Sequence, residues 1–238
     1  MSVKAALKAT PIYRAARAMR RKIASKRKVK LVLVCGPWGS GTTAIAGVLA
    51  SLGAQGVPPY YDSGDPRTGN SYESVAFRST IMRLASEATV ALTPGAAEVA
   101  KRRLGDFHQS IVLREIGDFE RRSVPIFLKY PLSALLLEPI CAVFDARLVY
   151  VMRPFAEIER TRLRRRWRAQ FGRSGAEIIY RAMEEFEQQA SQPIFTLNYT
   201  DLVASPAQCI RDLASFAQLG LEQDLIDRAI AFVQPVER

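Results

Sequence analysis

The stretch "KLVLVCGPWGSGTTAIAGVLASL", Lys30 to Leu52, constrains the fold of this chain more than any other. Lys30 to Cys35 is a short Val/Leu-rich run, the pattern of a strand buried on both faces. Gly36, Gly39 and Gly41 follow at once, and Thr43 to Leu52 then reads as a helix ending near Gly53. A glycine-rich loop between strand and helix aims successive backbone N–H groups and a helix N-terminus at one spot, which suits an oxyanion. Ser40, Thr42 and Thr43 add hydroxyls to that spot. An ordinary turn has no need of six consecutive small or hydroxylated residues, Gly39 to Ala44, so phosphate or sulfate binding is expected here.

The rest of the chain alternates in the same sense. Val124–Lys129, Leu148–Met152 and Ile194–Tyr199 read as further strands. Helices are expected at Ser74–Ser86, Pro94–Phe107, Phe155–Phe171, Gly175–Gln189, Pro206–Gln218 and Glu222–Val233, with an exposed loop over Gly56–Asn70. Strands alternating with helices predict an α/β fold with a central, mostly parallel sheet flanked by helices. With the loop, that is a P-loop-like, three-layer arrangement in which ligands sit at the carboxyl ends of the strands.

Charge separates two regions. Residues 1–30 hold eleven Lys/Arg and no Asp or Glu; taking these from the chain's 34 basic residues leaves 23 against 23 acidic ones. The body over 31–238 is formally neutral, and the excess lies in an N-terminal arm. Within it, Thr10-Pro11 looks like a helix start, Ile12, Ala16, Met19 and Ile23 form an apolar stripe, and Arg14, Arg17 and Arg21 lie on another face. The plain reading packs the stripe on the body. The sharper one lays residues 10–30 on an anionic membrane surface. Nucleic acid is disfavoured because the body carries no net positive charge. Cys35, Cys141 and Cys209 are too far apart for a metal pattern or an evident disulfide framework, and the first thirty residues lack a continuous apolar core. The expected compartment is the cytoplasm, with membrane contact only at the periphery.

The loop spacing, Gly36, four residues, then Gly41, matches the start of a nucleotide-binding P-loop. The lysine that grips the β- and γ-phosphates is replaced by Thr42, and the strands run into Arg153 and Thr200 where a Mg²⁺-holding Asp is needed. A triphosphate requires that metal. A phosphosulfate carries less charge where transfer occurs and needs only N–H groups, hydroxyls and one or two cations, so no metal is expected.

Several motifs, in order, resemble the sulfotransferases that use 3′-phosphoadenosine 5′-phosphosulfate (PAPS). "GPWGSGTT" is similar to their 5′-phosphosulfate loop, and "LVYVMRPFAEIERT" to their 3′-phosphate motif, with Arg153 at the strand end and Thr161 eight residues on, where the family has Ser. "IFLKYP" resembles the preceding strand with its lysine, "IFTLNYTDLVASPAQCIRDLASFAQL" the late strand and helix, and "GNSYES", loosely, the Asn-x-x-Gly-x-x-Glu-like segment of bacterial members. The resemblance spans about residues 31–218.

It implies that Trp38, Gly39, Ser40, Gly41, Thr42 and Thr43 hold the 5′-phosphosulfate, and Arg153 and Thr161 the 3′-phosphate. By the same resemblance Tyr199 contacts adenine, Lys129 stabilises charge on the bridging oxygen, and Glu73 is the base. The plain readings stand beside these: a strand-end arginine, a core tyrosine, a surface lysine, and a carboxylate welcomed by a helix N-terminus. The histidine base of the cytosolic branch would fall at Pro131; His108, the one histidine, reads instead as a helix-end residue.

The chain departs from the family in two places. Gly39 stands where a basic residue is usual, and the C-terminal Arg-Lys-Gly segment of the cytosolic members is not found. Arg164, Arg165 and Arg168, at i+3, i+4 and i+7 from Thr161, would offer cations on one helical face to the donor or to an acidic acceptor. Equally, they form a solvated face. The resemblance implies a hydroxyl or amine acceptor, which the motifs do not identify among carbohydrates, lipids and small metabolites. The alternatives are a P-loop kinase or nucleotide hydrolase, and a non-catalytic anion-binding module.

Overall fold

The computed structural model describes residues 28–64, 68–115 and 124–233; the helix expected over Thr10–Ile23 lies outside them. The chain runs β1 (Lys30–Cys35), α1 (Thr42–Ser51), α2 (Val75–Met82), a hairpin of β2 (Ala85–Ser86) and β3 (Ala91–Leu92), α3 (Ala96–Glu115) and β4 (Ile126–Lys129). A 3₁₀ segment (Pro131–Leu136), α4 (Leu137–Val143), β5 (Asp145–Met152), α5 (Phe155–Arg165) and a 3₁₀ turn (Ala169–Phe171) follow. The chain then continues through α6 (Arg173–Glu187), β6 (Ile194–Asn198), α7 (Tyr199–Ala204), α8 (Pro206–Phe216) and α9 (Gln223–Val233).

The predicted α/β architecture is the observed one. Four strands lie parallel in the order β4-β1-β5-β6, with Val34 opposite both Lys129 and Val149. Alternation along β1 sends its side chains to two cores. Leu31, Leu33 and Cys35 pack with Ile81, Leu104, Phe107, Ile140 and Met183; Val32 and Val34 pack with Ile45, Leu49, Ile210, Leu213 and Ile226. Helices therefore cover both faces, and each fully buried Leu, Ile or Val contributes about 1.5–3 kcal/mol. α9 reaches α1 at Gly47, where a Cβ would lie 2.0 Å from the Phe232 ring. No helix among the described residues is long and apolar enough to cross a membrane.

Several boundaries differ from the sequence reading. α2 stops at Met82 rather than Ser86, because Arg83 and Leu84 turn back on Thr80 and Ile81 and the chain enters the β2–β3 hairpin. α3 runs past Phe107 to Glu115, so His108 sits within a helix and not at its end. α5 ends at Arg165, because Arg166 takes a left-handed conformation (φ 54°), and Arg168 lies beyond the helix. Tyr199 begins α7 instead of ending β6. The apolar run after Lys129 is helical; its Pro139 falls in the first turn of α4, where no N–H is missed.

Candidate functional site

The carboxyl ends of β1, β4 and β5 lie side by side, and each delivers a polar residue to the same region. From β1 comes the loop. Gly41 has φ 104° and lies so close to Tyr199 that a Cβ would stand 2.2 Å from its ring; only glycine fits. Thr42 and Thr43 open α1, whose N-terminal N–H groups have no side-chain cap. Ser40 is fully buried and donates its hydroxyl proton to Pro37 O at 2.8 Å, so it braces the loop from within. Trp38 packs on Phe171 at 4.5 Å between ring centroids, tying the loop to the turn after α5.

β5 supplies Arg153. Its backbone N–H donates to Tyr180 Oη at 2.9 Å, which fixes the strand end. Its guanidinium donates through Nη1 to Gly39 O at 2.8 Å and to Thr161 Oγ1 at 3.4 Å, and pairs through Nη2 with Glu157 at 3.6 Å. It also lies 4.7 Å from the Tyr199 ring centroid, a cation–π distance. Arg153 Nε is buried and makes no hydrogen bond. Arg153, Thr161, Tyr199 and the loop are therefore one assembly. The missing cation at position 39 has a counterpart in space. Gly39 has φ 79° and its Cβ would stand 3.3 Å from Thr161, so the loop stays bare there and the Arg153 guanidinium comes to it.

β4 supplies Lys129, only 3% exposed. Its ammonium donates to Thr43 Oγ1 at 2.9 Å, to Ser71 O at 2.9 Å and to Glu73 Oε1 at 3.1 Å. Burial pulls its pKa below the ordinary lysine range, and the Glu73 carboxylate opposes that pull. Lys129 is thus no surface lysine: it joins the glycine-rich loop to a carboxylate.

Glu73 arrives by way of a strained turn. Tyr72 adopts φ 56°, in the left-handed region, and its N–H is held by Asn70 Oδ1 at 2.8 Å. That turn brings Ser71 O and the Glu73 carboxylate to the same ammonium. A non-glycine residue in this conformation costs about 1–2 kcal/mol. Edge contacts of the Tyr72 ring with Tyr60, Phe127 and Phe232 help to hold it. Ser74, next along, caps α2 by accepting from Phe77 N–H.

The sequence reading missed a second cation on Glu73. Arg78, one turn into α2, lies 3.8 Å from Glu73 Oε2. It is held by Glu87 at 2.9 Å and lies 4.2 Å from the Tyr61 ring and 5.4 Å from that of Tyr130. Tyr130 donates its hydroxyl to Glu87 at 2.6 Å, and burial raises its pKa well above the usual phenol range, with the Glu87 hydrogen bond adding to the rise. Nothing in the spacing of residues 73, 78, 87 and 130 announces this cluster; the β2–β3 hairpin and β4 bring it together.

The arginine face of α5 divides. Arg165 turns inward, donating to Thr68 at 3.0 Å and adding positive potential at Lys129. Arg164 and Arg168 are exposed and do not join Thr161. His108 is far from all of this. It packs against the amino-terminal approach to β1, accepting from Val29 N–H at 3.3 Å beside Phe144, and its burial lowers its pKa below 6.5.

The chain has the fold of bacterial sulfotransferases. It superposes on the sulfotransferase STF1 of Mycobacterium tuberculosis with a TM-score of 0.59 at 19% identity, over 88% of this chain and 75% of that one. For STF9 of Mycobacterium avium the score is 0.57 at 14% identity, over 94% and 73%. The sulfotransferase domain of the curacin biosynthetic pathway gives 0.50 at 17%, over 85% and 78%. At these identities the likeness is one of fold. No protein-family model matches the sequence, and no curated protein does.

Proposed function

We propose that this chain is a sulfotransferase that moves a sulfuryl group from PAPS to a hydroxyl or amine of its acceptor. The observation that carries the reading is the position of Lys129. One buried ammonium touches both the loop, at Thr43, and a carboxylate, Glu73. A group-transfer site needs that adjacency, with a cation for the leaving oxygen and a base for the incoming one.

The loop from Trp38 to Thr43 is the seat assigned to the 5′-phosphosulfate, with the uncapped N-terminus of α1 as its source of N–H donors. Arg153 and Thr161 are assigned the 3′-phosphate. The buried Arg153 Nε, without a hydrogen-bond partner, fits a site prepared for an anion. Tyr199, wedged between Gly41 and Arg153, is the wall assigned to adenine. In the transfer, the acceptor oxygen bonds to sulfur as the bond from sulfur to the bridging phosphate oxygen breaks; the acceptor proton passes to Glu73. Lys129 faces the charge left on the bridging oxygen, and Arg78, 3.8 Å from the second oxygen of Glu73, adds positive potential beside the carboxylate. The acceptor is assigned to the side bounded by Tyr61, Ser71 and α2. The three thiols are free, and Cys35 and Cys141 are buried, which fits a cytoplasmic enzyme.

A thermal-shift comparison tests the donor class. Adenosine 3′,5′-bisphosphate at about 100 times its Kd stabilises by about 2.7 kcal/mol, or several degrees in Tm for a chain of this size. ATP with Mg²⁺ at the same concentration should shift Tm less. The reverse ranking contradicts the proposal and favours a P-loop kinase.

A further inference from the structure

The stretch Arg160 to Arg173, "RTRLRRRWRAQFGR", holds seven arginines and no acidic residue. The fold sorts them. Arg160 pairs with Glu157 at 2.7 Å, Arg173 with Glu177 at 2.8 Å, and Arg165 turns to Thr68. Arg162 binds Glu159 and also donates to Trp167 O at 3.2 Å, which closes the end of α5. Arg164, Arg166 and Arg168 remain exposed, with no acidic partner among the described residues. Beside them stands Leu163, 60% exposed, the highest value for any large apolar side chain among the described residues.

We infer that this rim docks the protein on an anionic lipid surface. An aliphatic side chain standing among unpaired cations matches an interface where charge meets the headgroups and the apolar group enters the acyl boundary. The same chemistry argues against single-stranded nucleic acid, which needs open aromatic faces. Both aromatic side chains of the stretch are engaged: Trp167 lies under Arg165 at 5.1 Å, and Phe171 packs, tilted, on Trp38. The body beyond residue 30 is formally neutral, so attraction must come from such a local patch and not from net charge.

The rim is fixed in place. Arg166, at φ 54°, donates its N–H to Leu163 O at 3.1 Å, and Trp167 donates to Arg162 O at 3.0 Å, so the turn that carries Arg166 and Arg168 is bonded back to α5. It also adjoins the site. Thr161 stands against Gly39, Phe171 against Trp38, and Arg165 reaches Thr68 on the segment leading to Glu73. Docking by the rim therefore sets the mouth of the site at the lipid surface. The inference does not depend on the sulfotransferase reading.

Cosedimentation of the full chain with vesicles tests it, at about 0.1 M salt. Vesicles of phosphatidylcholine containing phosphatidylglycerol should bind the wild type at least about tenfold more tightly than phosphatidylcholine alone. R164E/R166E/R168E should lose at least about tenfold of that binding. Leu163→Ala, a milder change, should lose several-fold while keeping the wild-type Tm. Both should keep wild-type affinity for adenosine 3′,5′-bisphosphate. Equal binding of the wild type to both vesicles, or wild-type binding by the triple variant, overturns the inference. So does tighter binding to a single-stranded oligonucleotide than to the anionic vesicles.

Discussion

Lys129 and His108 are both buried, at 3% and 6% exposure, and they mark opposite ends of the same sheet. Each has its pKa lowered by desolvation. Their surroundings differ in one respect. Three oxygens converge on the Lys129 ammonium: a loop hydroxyl, a backbone carbonyl and a carboxylate. His108 receives one backbone N–H, from Val29, and the edge of Phe144. A ring nitrogen that accepts a hydrogen bond must be unprotonated, so His108 is held neutral while Lys129 is held charged. Burial alone marks neither as functional. What separates the two ends is convergence of acceptors, and these lie where the glycine-rich loop lies.

The comparison can be broken first at Lys129. Lys129→Met should lower turnover at least about 10²-fold, measured as release of adenosine 3′,5′-bisphosphate from PAPS, because it removes the cation at the leaving oxygen. His108→Gln should leave turnover within about twofold. Comparable losses would mean the two ends do not divide function from packing. Glu73→Gln sharpens the view of the charged end. It leaves the ammonium buried with only neutral acceptors, so the urea midpoint should fall by the equivalent of about 2–3 kcal/mol, and turnover should fall as well. An unchanged midpoint would show that the pair carries no mutual support.

The smallest effect belongs to the neutral end. The folded-state pKa of His108 is depressed below 6.5, so the unfolded chain takes up the proton first as pH falls. Its contribution is present above pH 6.5 and is lost as pH drops through the folded value. Between pH 7.5 and pH 5, the wild type should lose more stability than His108→Gln, read as the difference between their denaturation curves. A larger loss in the variant would reverse the sign and remove His108 as the cause.

The half of the site built from the loop and Arg153 was legible in the sequence because its partners are tied by short-range rules. The run of Val and Leu before Gly36 fixes the strand, and the glycines fix the loop. Pro154 starts α5 directly after Arg153, and two helical turns return Thr161 to 3.4 Å from its guanidinium. The other half is built by tertiary contacts. The convergence of Ser71 and Glu73 depends on the left-handed Tyr72, a conformation no tyrosine announces, and Arg78 reaches Glu73 only because Glu87 and Tyr130 steer it. The end of α5 was missed for a related reason: Arg166 terminates it without glycine or proline. Gly39 shows both sides. Its departure from the basic residue of the resembled loop is plain in the sequence, but the guanidinium that reaches Gly39 O comes from 114 residues away.

The central claim is that the loop and Arg153 form one site for a 3′-phosphorylated adenosine donor. Calorimetric titration with adenosine 3′,5′-bisphosphate tests it most directly. The account predicts saturable binding by the wild type below high-micromolar concentration, and at least tenfold weaker binding, about 1.4 kcal/mol, by a folded Arg153→Ala variant. No binding by the wild type at high-micromolar ligand, or an unchanged affinity in the variant, would contradict it.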